Sequence, residues 1–116
     1  MTIKLLNRSA IVIRPKQPLA DWAARVAPEE EIDLATLRME GTVYLIDEVE
    51  QESGFVEALG RGWRTIFENE LSAWDEFGDD WPAPLSQMMF EQWFEAEPQV
   101  LAFDISSEPL LRAELA

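Results

Sequence analysis

A chain of 116 residues, 47% of them hydrophobic, has the length of one domain and enough apolar content for a real core. Lysine and arginine total 9 against 23 aspartates and glutamates, a net charge of −14, which repels nucleic acid and anionic membrane and draws in basic partners. There is neither cysteine nor histidine, so disulfides, thiolate chemistry and the commonest general base and transition-metal ligand are all excluded.

The N-terminal residues 1–8 contain one short apolar pair, Leu5 and Leu6, with a charge close behind, which is not the pattern of a signal peptide. No run approaches the ~18 apolar residues of a transmembrane helix, and a cytoplasmic location is expected. Residues 9–14, SAIVIR, form the first predicted strand. Ala10, Val12 and Arg14 share one of its faces by alternation, and Ile11 and Ile13 the other. Pro15 and Pro18 stop the strand, and Pro18 opens a helix over 18–26 with Leu19, Trp22, Ala23 and Val26 on one stripe. An acidic turn leads to Asp33, expected to cap a short helix over 34–40 through its side chain, and Gly41 closes it.

Residues 42–46, TVYLI, are the second strand. Residues 55–77 then place Phe55, Leu59, Trp63, Ile66, Phe67, Leu71, Trp74 and Phe77 at steps of three or four, save the adjacent pair Ile66 and Phe67. That is one face of a helix, the expected core element. Gly60 and Gly62 each cost such a helix about 1 kcal/mol relative to Ala. The helix either tolerates them, kinks, or breaks in two; the preceding strand and longer glycine pattern of a phosphate loop are missing.

Gly78 stops this helix and a connection rich in aspartate and proline follows. Ser86 caps the next helix, predicted over 87–97, where Met88, Met89, Phe90, Trp93 and Phe94 cover more than a single stripe. Pro98 ends it. Residues 99–105, QVLAFDI, are the third predicted strand, and the last residues carry a weak helical pattern. The expected order is β-α-α-β-α-α-β: an α+β or α/β sandwich with a three-stranded sheet and about four helices, one domain over residues 1–116. Strand order, strand direction and oligomeric state are not readable from the pattern.

The string RPKQPLADW, at the junction of first strand and first helix, supplies Arg14 and Lys16 as candidates for anion or ligand binding beside exposed helix N–H groups. The competing reading pairs Arg14 with a carboxylate such as Asp47 or Asp104, which is the ordinary arrangement. NRSAIVIRPKQPLADW, with GTVYLIDE and the FEQWFE and VLAFDI strings near the end, resembles a family of small uncharacterised bacterial proteins over most of the chain. The resemblance implies a shared fold and a bacterial origin; it transfers no activity, cofactor or site residue.

Charge is uneven. Residues 1–27 balance at +4 and residues 28–116 at −18. The acidic runs at 29–33, 47–52 and 75–80 lack the alternating oxygen ligands, central glycine and closing glutamate of a calcium loop, so neither metal nor cofactor is expected. Glu29, Glu30 and Glu31 are candidates for meeting a basic protein partner. Trp81, flanked by acids and prolines, is either a partner-binding anchor or a lid folded onto the core. The expected function is a non-enzymatic protein-binding or regulatory module without nucleic-acid or membrane contact. The alternative is a small ligand- or anion-binding domain or enzyme built on Arg14, Lys16 and nearby carboxylates.

Overall fold

The computed structural model describes residues 2–115 and is α+β. In chain order it has β1 (Lys4–Leu5), β2 (Ser9–Pro15), α1 (Gln17–Val26), α2 (Leu34–Met39), β3 (Thr42–Ile46), α3 (Glu52–Ser72), α4 (Gln87–Trp93), β4 (Phe94–Gln99) and β5 (Phe103–Asp104). The main sheet has the order β3-β2-β4, with both pairings antiparallel. β1 and β5 form a separate antiparallel ribbon.

The register assigns the two faces of the sheet. Ile11 lies opposite Tyr44 and Pro98, and Ile13 opposite Thr42 and Ala96. This inner face packs on the helices, in one cluster that includes Ile11, Ile13, Trp22, Phe67, Phe90 and Phe94. The outer face carries Ala10, Val12 and Arg14 on β2, Val43 and Leu45 on β3, and Glu95, Glu97 and Gln99 on β4. Ala10 is buried there, whereas Val43 and Leu45 are exposed.

Phe67 of α3 is the centre of the core. Its ring centroid stands 5.9 Å from that of Phe90, 5.6 Å from Trp93 and 5.5 Å from Phe94, the last edge-on. Such geometries suit the aromatic quadrupole. The helix runs unbroken through Gly60 and Gly62, so it does not split there. A methyl at either glycine would meet nothing within 4 Å, and no close-packed neighbour explains them. α3 ends at Ser72, five residues before the predicted end. Trp74 still packs against the core from the following turn, while Phe77 is 83% exposed.

Four further expectations need correction. Asp33 does not cap α2 through its side chain; its carboxylate accepts instead from the Thr36 hydroxyl at 2.7 Å. The helix predicted over 87–97 stops at Trp93, and the strand predicted over 99–105 is replaced by β4 at Phe94–Gln99 and the two residues of β5. The chain turns extended at Phe94. A helix continued to Pro98 would drive the proline ring against the carbonyl four residues earlier, that of Phe94, and the residue before a proline is itself pushed to extended geometry. Ser86 does cap α4, accepting from the Met89 N–H at 3.1 Å. Residues 109–115 show no helix.

Candidate functional site

The strand-to-helix junction is the place to test Arg14 and Lys16. Alternation along β2 puts Arg14 on the outer face, beside the carboxylates of β4. Its Nε donates to Glu97 Oε1 at 2.9 Å and its Nη1 to the Arg38 carbonyl at 2.6 Å. Arg38, near the end of α2, donates to Glu95 Oε1 at 2.6 Å and to the Pro15 carbonyl at 2.9 Å. Two arginines and two glutamates thus tie α2, β2 and β4 together. These side chains remain about a third or more exposed, so each pair is worth no more than ~1 kcal/mol. Arg14 therefore pairs a carboxylate, and it is Glu97 rather than Asp47 or Asp104. Lys16 Nζ donates to the Glu91 carbonyl at 2.9 Å, and its backbone N–H to the Trp93 carbonyl at 2.8 Å. The two cations hold the junction to α4 and β4.

Gly41 sits against this cluster. An added methyl would lie 2.9 Å from the Ile13 carbonyl oxygen and 3.2 Å from the Arg14 side chain. The chain enters β3 so close to β2 that only glycine fits.

Trp81 is a lid. It packs against the core, and its indole N–H donates to the Asp75 carbonyl at 2.9 Å. Asp75 organises the whole turn, because its carboxylate also accepts from the Asp80 N–H at 2.7 Å. Gly78 supplies the positive φ of +77° that brings the chain round. Trp22, in turn, donates from its indole to the Asp80 carbonyl at 3.0 Å.

Three features escaped the sequence. Ser9 is fully buried; its hydroxyl donates to the Val100 carbonyl and accepts from the Val49 N–H, both at 2.9 Å. It pins the turn before α3 and the segment after β4 to the start of the sheet, and nothing in its composition distinguishes it from a surface serine. Tyr44 donates to Glu70 on α3 and accepts from Asn69 Nδ2 at 2.9 Å. Burial first, then the bond to Glu70, push its phenol well above the usual tyrosine range. Its inward orientation follows from the alternation of TVYLI, but its partners do not. The third feature is an open groove of about 350 Å³ lined by Leu6, Asn7, Arg8, Leu45, Leu110, Leu111 and Arg112, which joins both chain ends to the outer face of β3.

Glu29, Glu30 and Glu31 lie exposed in the turn between α1 and α2. The other acidic runs lie elsewhere, 47–51 between β3 and α3 with Glu52 opening α3, and 75–80 between α3 and α4. Among the described residues, no group of three or more His, Cys, Asp or Glu is placed to hold a metal ion, and no helix is long and apolar enough to cross a membrane. No family model, curated protein or solved structure matches the chain, so the resemblance to small bacterial proteins rests on the strings quoted above.

Proposed function

We propose that this protein is a non-enzymatic protein-binding or regulatory module that meets a basic partner through its acidic turns and leaves nucleic acid alone. The observation that carries this reading is exposed, uncompensated acid. Glu29, Glu30, Glu31, Asp33, Asp47, Glu48, Glu50, Glu52, Asp79 and Asp80 are all exposed. Among the described residues, ion pairs engage three of the 23 acids: Glu68, Glu95 and Glu97. A field of one sign steers an oppositely charged surface into contact, and raises the on-rate more than it slows dissociation. The competing reading, an anion or ligand site on Arg14 and Lys16, has less support because both side chains are already engaged by Glu97 and by backbone carbonyls.

The test is capture from a bacterial lysate with elution along a salt gradient, repeated with Glu29, Glu30 and Glu31 changed to Gln. Charge-steered partners elute early, since screening is nearly complete beyond ~10 Å at 0.1 M salt, and the Gln chain retains less of them. A partner that survives about 1 M salt and ignores the Gln changes overturns the acidic-turn reading. Recovery of nucleic acid in place of protein overturns the charge argument as a whole.

A further inference from the structure

The ribbon of β1 and β5 has an apolar face that its own chain leaves bare. Leu5 pairs with Phe103 and Lys4 with Asp104, and the Leu6 N–H extends the pairing to the Ala102 carbonyl at 2.9 Å. Alternation then places Ile3, Leu5, Phe103 and Ile105 on one side, with Leu101 following. On the β5 segment burial obeys the same period: residues 101, 103 and 105 are exposed, 102 and 104 half-buried, whereas Lys4 on β1 is exposed along with Leu5. The side bearing Leu6, Ala102 and Asp104 leans on the molecule, and the apolar side looks away from it. No residue from 2–8 or 100–115 belongs to the buried core.

Position and charge set this unit apart. Of the fifteen large hydrophobic residues that are exposed among the described residues, nine fall in these two segments, between 49% and 90% exposed. A buried aliphatic or aromatic side chain is worth 1.5–3 kcal/mol at ~25 cal/mol per Å², or roughly 60–120 Å² each. Five of the nine, Ile3, Leu5, Leu101, Phe103 and Ile105, belong to the apolar side of the ribbon, and even partly exposed they present roughly 200–400 Å² of apolar surface. A partner in a standard interface contributes ~800 Å², a little over half of it apolar. The Cα radius of gyration is 15.6 Å, against about 13 Å for a compact chain of this length, as expected when the ends project from the body. Lys4, Arg8 and Arg112 balance Asp104, Glu108 and Glu114, so the two segments are neutral, and the whole −14 resides on residues 9–99.

We propose that this ribbon joins two copies of the chain, apolar face to apolar face across a two-fold axis. Neutrality selects the occupant. Two bodies of charge −14 repel, so a self-contact is least opposed at a part that carries no net charge of its own. A basic partner would be selected by the acidic turns instead. The face is also self-complementary, as an isologous contact requires: the same side chains supply both halves of the apolar contact. A two-stranded ribbon is marginal alone in water, and a second ribbon laid on its apolar side supplies the missing cover. The apolar side of the ribbon carries none of the acidic turn residues.

Sedimentation equilibrium tests this directly. The parent chain is expected to dimerise reversibly. Phe103→Glu weakens the dimer at least about tenfold, the scale of a central interface residue, and melts with the body's normal cooperativity because no core residue is touched. Met39→Glu, an exposed apolar position outside the ribbon, leaves the dimer intact. Because the chain has no cysteine, a second arm is available that needs no loss of stability. Single Leu5→Cys or Phe103→Cys chains are joined to dimers by a short bis-maleimide, and a Met39→Cys chain is not. A parent that stays monomeric, a dimer indifferent to Phe103→Glu, or cross-linking at Met39→Cys equal to that at Phe103→Cys overturns the proposal.

Discussion

Ser9 makes two good hydrogen bonds from a site with no solvent access, to segments forty and ninety-one residues away along the chain. Ser9→Ala leaves the Val49 N–H and the Val100 carbonyl without that partner, so a loss of about 1–3 kcal/mol is expected in urea melts. Ser9→Thr retains the hydroxyl but adds a methyl to a full site, and separates lost bonding from packing. Tyr44 makes a different prediction, about pH. Its phenol titrates higher in the folded chain than its ordinary value of 10.0, chiefly through burial and then through Glu70. The unfolded chain therefore releases this proton first as pH rises, and stability falls from about pH 10 upward while remaining unaffected by this group below it. Tyr44→Phe removes that slope. Melts at pH 8 and pH 11 should show the parent losing more stability across the interval than the Phe chain. Equal losses would mean that the folded state does not hold the Tyr44 proton.

At the scale of elements, α3 was legible because a three-and-four rhythm sustained over twenty residues has no strand equivalent, and the two glycines do not interrupt it. Its end was not legible. Trp74 and Phe77 continue the rhythm, yet the chain turns at Ser72 so that Trp74 and Trp81 close over the core. Asp75 fixes that turn with bonds no periodicity reveals. β4 was missed for a related reason. FEAEP alternates apolar and charged as a half-buried strand does, but glutamate and alanine are strong helix formers and follow a true helix. The deciding contacts, Glu95 with Arg38 and Glu97 with Arg14, come from residues more than fifty positions away. Of the candidate site, the partnership of Arg14 with a carboxylate was foreseeable, but the identity of that carboxylate was not, since β4 itself was misplaced. The glycines yield a paired prediction. Gly60→Ala, with open space around the new methyl, should raise stability by about 0.5–1 kcal/mol. Gly41→Ala should lower it, because the methyl meets backbone oxygen at 2.9 Å. Phe67→Ala removes the ring that three other aromatics surround and should cost about 3–5 kcal/mol. Trp63, only partly buried and flanked by the Arg64 guanidinium 5.0 Å from its ring, should cost less than Phe67 on the same change. Denaturant midpoints at constant slope check all four.

For the whole molecule the question is what twenty carboxylates outside the ion pairs do to the folded state. Self-repulsion in a chain of net charge −14 opposes the compact form, and the three ion pairs among the described residues are too exposed to offset much of it. Salt acts on both effects. It weakens the attractive pairs and the repulsion alike, but the repulsive terms are far more numerous and reach further than a 3–4 Å contact. Screening shortens their range from ~30 Å at 0.01 M to ~10 Å at 0.1 M, so the net effect of salt is stabilising. Tm should rise as sodium chloride goes from about 0.01 M to 0.3 M. Relief worth about 1 kcal/mol would appear as roughly 4 °C in a domain of this size. The Phe103→Glu chain at low concentration is the right material, because association between copies also responds to salt and would otherwise add to the shift. A Tm that falls over this range would mean that the Arg14, Arg38 and Arg64 pairs outweigh the repulsion, and that the acidic turns stand too far apart to act as one field on the fold or on a partner.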